Sequence, residues 1–140
     1  MVNKYILRVG DDDSLHAGPK AMNDCEKILI KNGFSPILIR QKNNHNMANK
    51  LRWIKLICVP NNSILVIHHP YYIGTFYLKL LRIIKRVKQI KLVFLVHDIE
   101  SLRVMFKDKK QLFIDLDNSM FQISDYIIAH NNYMKEYLIN

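Results

Sequence analysis

Glycine is scarce in this chain: only four occur among 140 residues. No Gly-x-Gly-x-x-Gly follows the first apolar run, and no glycine-rich loop ends in the Lys-Ser/Thr pair of a P-loop. Both phosphate cradles need glycine where the backbone approaches the ligand closely. The sequence therefore predicts neither a dinucleotide site nor a nucleoside triphosphate site in this domain.

Long apolar segments and clustered cysteines are also missing. No apolar run approaches the roughly 20 residues that span a bilayer, and residues 1–4 do not introduce a signal peptide. Cys25 and Cys58 fall at apolar positions of predicted helices, without metal-like spacing. We therefore predict two buried, reduced thiols and a cytoplasmic protein.

Metal-ligand signatures are absent too. The chain has six histidines, and imidazole suits zinc and other divalent metals, but neither a His-Glu-x-x-His pair nor a paired-Asp signature occurs. The sequence thus predicts no metal and no cofactor. A small metal-dependent hydrolase remains the weakest of the alternatives.

The composition favours one packed domain with a basic surface. Hydrophobic residues make up 49% of the chain, enough for a core, and the formal net charge is +9. Such a charge favours phosphates, nucleic acid or an anionic membrane as partners. Because no DNA- or RNA-reading module is visible, we predict no nucleic-acid partner.

Short apolar runs alternate with amphipathic stretches along the chain. This alternation predicts an α/β fold: a single Rossmann-like, doubly wound parallel sheet of about five strands in the order 3-2-1-4-5, with helices on both faces. The predicted strands are 5–9, 36–40, 63–67, 91–96 and 125–129. Helices are expected from Pro19 to about Asn32, over 75–88, and from Tyr133 onward. Two more are predicted from their buried positions, Met47, Leu51, Ile54 and Cys58 in one and Phe113, Leu116 and Met120 in the other.

Three of the predicted strands stop at histidine. One runs into His68 and His69, the next into His97, and the last into His130. Ligands of open parallel sheets bind beyond the carboxyl ends of the strands. These histidines are therefore expected along one sheet edge, which is the candidate functional site.

The segment His97-Asp98-Ile99-Glu100 is the sharpest constellation at that edge. A histidine followed by acids can act as a general base, since imidazole titrates near neutrality and a carboxylate can orient it. The structural alternative is a helix cap formed by Asp98 or Ser101.

Two further strand ends carry candidate binding groups. His68 and His69 with Tyr71 and Tyr72 could bind a sugar, because aromatic rings stack on its apolar face while polar groups form hydrogen bonds with its edge. The alternative is an aromatic wedge that packs the loop onto the next helix. His130 and Asn131 could bind substrate or simply cap the last helix.

A basic amphipathic stretch covers residues 74–91. Its predicted apolar stripe consists of Tyr77, Leu80, Leu81, Ile84 and Val87. Its cationic face consists of Lys79, Arg82, Lys85, Arg86 and Lys88. Such a helix can lie against anionic lipid at the inner membrane face, or it can be a packed helix with a solvated basic side.

Four segments together resemble the bacterial galactofuranosyltransferase-like glycosyltransferases. They are Ala17-Gly18-Pro19-Lys20-Ala21 with Asn23-Asp24, His69-Pro70-Tyr71-Tyr72, His97-Asp98-Ile99-Glu100-Ser101-Leu102-Arg103, and Ser124-Asp125-Tyr126-Ile127-Ile128-Ala129-His130-Asn131 with Met134 and Tyr137-Leu138. The resemblance covers nearly the whole chain, and the segment that begins at His97 is its most specific part.

This resemblance implies the amino-terminal, acceptor-side domain (residues 1–140) of a two-domain GT-B enzyme, with the nucleotide-sugar-binding domain absent. It implies metal-independent, inverting transfer of a sugar, galactofuranose or a hexose, from a nucleotide sugar. The acceptor would be a glycan, a lipid-linked glycan or a glycoprotein in surface polysaccharide synthesis. This domain would then be inactive alone.

The resemblance also implies residue roles. His97 or Asp98 would be the base, with Glu100 beside them, and Lys20 with the helix start would hold an anionic group. The implied substrate-binding residues are Gly18, Lys20, Asn23, Asp24, His69, Tyr71, Tyr72, His130 and Asn131. A rival hypothesis is a non-catalytic domain that docks an acceptor or partner protein. The sequence does not determine the donor sugar, the linkage or the oligomeric state, and it is compatible with a homo-oligomer.

Overall fold

The computed structural model describes residues 2–9, 17–39, 51–70, 75–99 and 110–139. Its elements are, in chain order, β1 (Lys4–Val9), α1 (Ala17–Lys31), β2 (Ser35–Ile39), a 3₁₀ helix η1 (Trp53–Cys58), β3 (Ile64–His69), α2 (Thr75–Lys88), β4 (Lys91–Val96), α3 (Lys110–Ile123), β5 (Tyr126–Ala129) and α4 (Asn132–Ile139). The five predicted strands are confirmed to within two residues at each end. No helix in these ranges is long and apolar enough to cross a membrane.

All strand pairs are parallel, which confirms the predicted doubly wound α/β sheet. The order is β2-β1-β3-β4-β5, so β3 lies between β1 and β4, where the predicted order placed β1 beside β4. Two features of the strands explain the difference. Pro36 lacks the N–H that an inner strand must donate, so β2 belongs at an edge. β3 is buried along five of its six residues and takes a central place.

Strand alternation divides the core between the two faces of the sheet. Leu7, Ile67 and Phe94 belong to the larger cluster, which is covered by η1, α2 and α3. Ile6 and Val66 point to the other face, where Leu29 of α1 packs against them. Neighbouring residues at the end of one strand therefore enter different environments.

The segment before β3 differs from its prediction. Within η1 the buried residues are Trp53 and Leu56, an i, i+3 pair that suits the three-residue turn of a 3₁₀ helix. Leu51, Ile54 and Cys58 are exposed instead of buried. Both cysteines are free thiols; Cys25 is half-buried, so the expected full burial was wrong for both of them. Met47 lies outside the described residues.

Candidate functional site

Two strand-end histidines make direct contact at the carboxyl edge. Parallel pairing of β3 with β4 brings their ends together, and His68 Nδ1 lies 2.8 Å from His97 Nε2. The rings stack with their centroids 5.1 Å apart. The backbone N–H of His97 donates to the carbonyl of His69 at 2.9 Å, which fixes where the chain leaves β4.

A third histidine completes this cluster. The His130 ring follows β5 and lies 5.9 Å from the His97 ring, centroid to centroid. His68 is 1% exposed, whereas His130 is exposed, so the three rings run from the interior of the sheet to its surface. The predicted convergence of strand ends at one edge is therefore confirmed for His68, His97 and His130. We call these three residues the histidine cluster.

The environment keeps the two inner rings neutral. Burial lowers the pKa of His68 to about 4, and the positive charges of His97 and Arg8 add to the effect. Burial also lowers the pKa of His97, with further contributions from His130 and His69. At neutral pH one ring therefore donates the shared hydrogen and the other accepts it. A neutral imidazole held in this way can accept a proton from a substrate hydroxyl.

An arginine that sequence reasoning missed lies beside the cluster. Arg8 comes one residue after the Leu7–Ile67 pair of β1 and β3. The strand order changes direction between these two strands, and ligands of doubly wound sheets bind at such a topological switch point. Its guanidinium lies 3.2 Å from Glu26 Oε2 and donates to Asn23 Oδ1 at 3.0 Å. The feature of the sequence that could have indicated Arg8 is a single charged residue within the apolar run of β1.

His69 lies on the opposite face of the sheet from His68. Its Nε2 is 3.1 Å from Asp117 Oδ1, and the two side chains are 2% and 5% exposed. The atoms are within ion-pair distance but lack hydrogen-bond alignment. Phe121 meets the His69 ring edge-on at 5.3 Å. The structure thus separates His69 from the histidine cluster, because adjacent strand residues point to opposite faces.

The other predicted residues divide into three groups. Asn131 Oδ1 accepts from Met134 N–H at 2.9 Å, which confirms the cap of α4, and Asp98 Oδ1 accepts from Ile99 N–H at 2.8 Å. On α1, Gly18 lies in the first turn, Asn23 binds Arg8, and Lys20 and Asp24 are exposed. Glu100, Tyr71 and Tyr72 lie outside the described residues.

No group of three or more His, Cys, Asp or Glu side chains in the described ranges is arranged to hold a metal ion. Within the histidine cluster, His68 and His97 stack, and the His130 ring is tilted by 45° to that of His97. What the described arrangement offers is acid–base chemistry by neutral imidazole, next to an arginine whose charge is balanced by Glu26.

Fold and site together define a doubly wound α/β domain with a cluster of polar side chains at the carboxyl ends of its strands. Residues 3–140 match the family described as the glucosyltransferase 3-like, N-terminal domain, and the chain belongs to this family. A comparison with curated proteins gave no match. The predicted identity as the amino-terminal domain of a glycosyltransferase is confirmed at this level; the match does not extend to the galactofuranosyltransferase subtype.

Proposed function

We propose that this domain binds the acceptor and supplies the catalytic base for sugar transfer, while a second Rossmann-like domain binds the nucleotide sugar. The observation that carries the proposal is the 2.8 Å contact between His68 Nδ1 and His97 Nε2, with the pKa of both rings lowered. Family membership supports the reaction class. The contact supports the choice of His97 as the base.

In the proposed step, the acceptor hydroxyl oxygen attacks the anomeric carbon of the donor sugar. The bond from that carbon to the nucleotide phosphate oxygen breaks with inversion, and the hydroxyl proton moves to His97. His68 is a positioning residue: by accepting the Nε2 hydrogen of His97, it leaves the lone pair on Nδ1. That nitrogen has no hydrogen-bond partner among the described residues and is buried, so the proposed step requires the side chains that cover it to move when the acceptor binds.

Asp98 is the other candidate base, and its geometry favours a supporting role. Its Oδ1 already accepts the backbone N–H of Ile99 at 2.8 Å. The adjacent carboxylate can instead stabilise the imidazolium that forms on His97. Asp98 therefore tunes the base in this proposal and does not take the proton itself.

The substrates follow from the family and from the resemblance. The family description makes a nucleotide-activated glucose the first donor to test, with other hexoses and galactofuranose as comparisons. The proposed acceptor is a glycan, a lipid-linked glycan or a glycoprotein in surface polysaccharide synthesis. The proposed location is the cytoplasm, peripheral to the inner membrane face, and the net charge of +9 supports contact with anionic lipid.

Ligand titrations followed by NMR test the acceptor-side assignment on the chain itself. With histidine rings labelled, we expect acceptor glycans to shift the His97 and His68 resonances and nucleotide sugars to leave them unchanged. Shifts caused by the nucleotide sugar and not by any acceptor would overturn the assignment. Incubation with donor and acceptor together should give no transfer, because catalysis needs both reactants held in register.

A further inference from the structure

Helix α2 exposes a line of apolar side chains on its outer face. Phe76, Ile83 and Val87 are 46%, 59% and 70% exposed, and their spacing of seven and four residues puts them on one side of the helix. The core is contacted by other residues of α2, namely Tyr77, Leu78, Leu81 and Ile84. Val87, which the sequence placed in the same apolar stripe as Leu81 and Ile84, is exposed while those two residues are buried. Helix α2 is thus apolar on two sides.

Cations border this exposed line. Lys79, Arg82 and Arg86 are exposed on the same outer side of α2, and the helix contains no acidic residue. Arg82 and Arg86 form no ion pair with any residue that the structure describes. Lys79 lies four residues before Ile83 and Arg86 three residues after it, so both cations neighbour this exposed aliphatic side chain on the helix surface.

The two arginines also open onto a cleft at the amino edge of the sheet, opposite the histidine cluster. The cleft has a volume of about 660 Å³, and its lining includes Arg82, Arg86, Lys85, Lys91 and Asp125. Asp125 is already paired, at 2.9 Å with Lys85 and 3.3 Å with Lys91. One carboxylate cannot balance both lysines and both arginines, so the cleft keeps an excess of positive charge, and its two guanidinium groups suit phosphate oxygens.

The neighbouring element η1 also exposes apolar side chains. Trp53 of η1 stacks on Tyr77 of α2 with ring centroids 4.4 Å apart, so the two elements pack side by side. Ile54 and Ile57 of η1 are each 50% exposed, and η1 has no acidic residue. We call the exposed residues Ile54, Ile57, Phe76, Ile83 and Val87, with Lys79, Arg82 and Arg86, the α2 surface.

Charge decides what covers the α2 surface. A second copy that docked through the same face would bring like charges together across a two-fold axis, since the interface would be isologous. An anionic bilayer offers phosphate groups to the arginines and hydrocarbon to the aliphatic side chains. We propose that α2 lies in the interface of an anionic membrane, with Arg82 and Arg86 on lipid phosphates and Ile83 and Val87 among the acyl chains.

This inference names the surface that would hold the domain at the membrane, a location that is part of the proposed function. It rests on the proposed function only for the reason why the domain would be at the membrane. A crossover helix runs roughly antiparallel to the strands that it connects, here β3 and β4. With α2 flat on the membrane, these strands lie along the surface, and the carboxyl edge with His97 opens sideways. A membrane-anchored acceptor can reach an edge held in that way.

Vesicle co-sedimentation of the whole chain, without donor or acceptor, tests the proposal. Vesicles of phosphatidylcholine with phosphatidylglycerol should bind the chain, and pure phosphatidylcholine vesicles should bind it far more weakly. Arg82→Gln with Arg86→Gln should weaken binding about tenfold or more, and added salt should do the same. Ile83→Ser with Val87→Ser should weaken the binding that survives high salt.

The matched control is Lys27→Gln with Lys31→Gln, which removes two exposed charges at the same spacing from α1. It should retain nearly full binding. Equal losses in the arginine and lysine pairs would show diffuse charge and overturn the assignment of the α2 surface. Equal binding to neutral and anionic vesicles would overturn the membrane proposal. Binding of free glycerol phosphate without any binding to vesicles would overturn it as well. A failed acceptor titration at His97 would leave these results unaffected, so the two proposals fail separately.

Discussion

His68 Nδ1 and His97 Nε2 lie 2.8 Å apart, although 29 positions separate the two residues in the chain. The contact exists because β3 and β4 are parallel neighbours that end at the same edge. Since the pKa of each ring is lowered, the pair shares one hydrogen without carrying charge at neutral pH. This relationship is the basis of the first two predictions.

Stability should fall as pH drops from about 6.5 to about 4. The pKa of His68 is about 4 in the folded chain and 6.5 for an ordinary histidine, so the unfolded state binds more protons in this window. The loss should be on the order of 3 kcal/mol, and His97 acts in the same direction. Urea unfolding across this pH range measures it. His68→Asn should flatten the profile; an unchanged slope would mean that other groups carry it.

His97 and Asp98 should differ in their effect on sugar transfer. In an enzyme that joins this domain to a donor-binding domain, His97→Gln should lower kcat about a hundredfold or more, the scale of a lost general base. Asp98→Asn should cost less and should shift the acidic limb of the pH–rate profile. Full activity of His97→Gln would rule out His97 as the base, and full activity of both variants, with acceptor binding retained, would favour the non-catalytic docking domain.

Arg8 should contribute, with burial as the main cause, to the lowered pKa of His68. Its positive charge is one of the causes that lower this pKa, so Arg8→Met should raise it above about 4. An NMR titration of the His68 ring measures the change. The control is Arg86→Gln, which removes a cation from the far edge of the sheet and should leave the titration unchanged. A His68 pKa that stays near 4 in Arg8→Met would assign the effect to burial and to His97.

Two apolar residues of α2 should respond differently to truncation. Leu81 is fully buried, so Leu81→Ala should lower the free energy of unfolding by about 2–5 kcal/mol through lost contacts and a cavity. Ile83 is 59% exposed, and Ile83→Ala should change it by about 0.5 kcal/mol or less. Urea unfolding of both variants checks the pair. A large loss for Ile83→Ala would mean that its side chain is packed, and would weaken the case for a membrane-facing α2 surface.

The sequence by itself determined the succession of elements and the sheet edge that carries the site. Strands of a parallel sheet are continuous apolar runs, and the exposed edge strand β5 keeps this pattern, so strand ends are visible at His69, Val96 and Ala129. Parallel pairing then brings those ends to one edge whatever the strand order. The family resemblance could be drawn for the same reason, since its motifs follow strand ends.

Tertiary structure decided the strand order and the direction of each side chain. Pro36 could have indicated that β2 lies at an edge of the sheet. The pairing of Arg8 with Glu26, in contrast, depends on how α1 packs across the sheet. Likewise, Tyr77 of α2 is buried in a stack with Trp53, whereas Val87 of the same helix is exposed. Helical periodicity shows which residues share a side of the helix, but it does not fix which of them face the core. The final orientation of the helix depends on partners distant in sequence, which only the folded chain brings together.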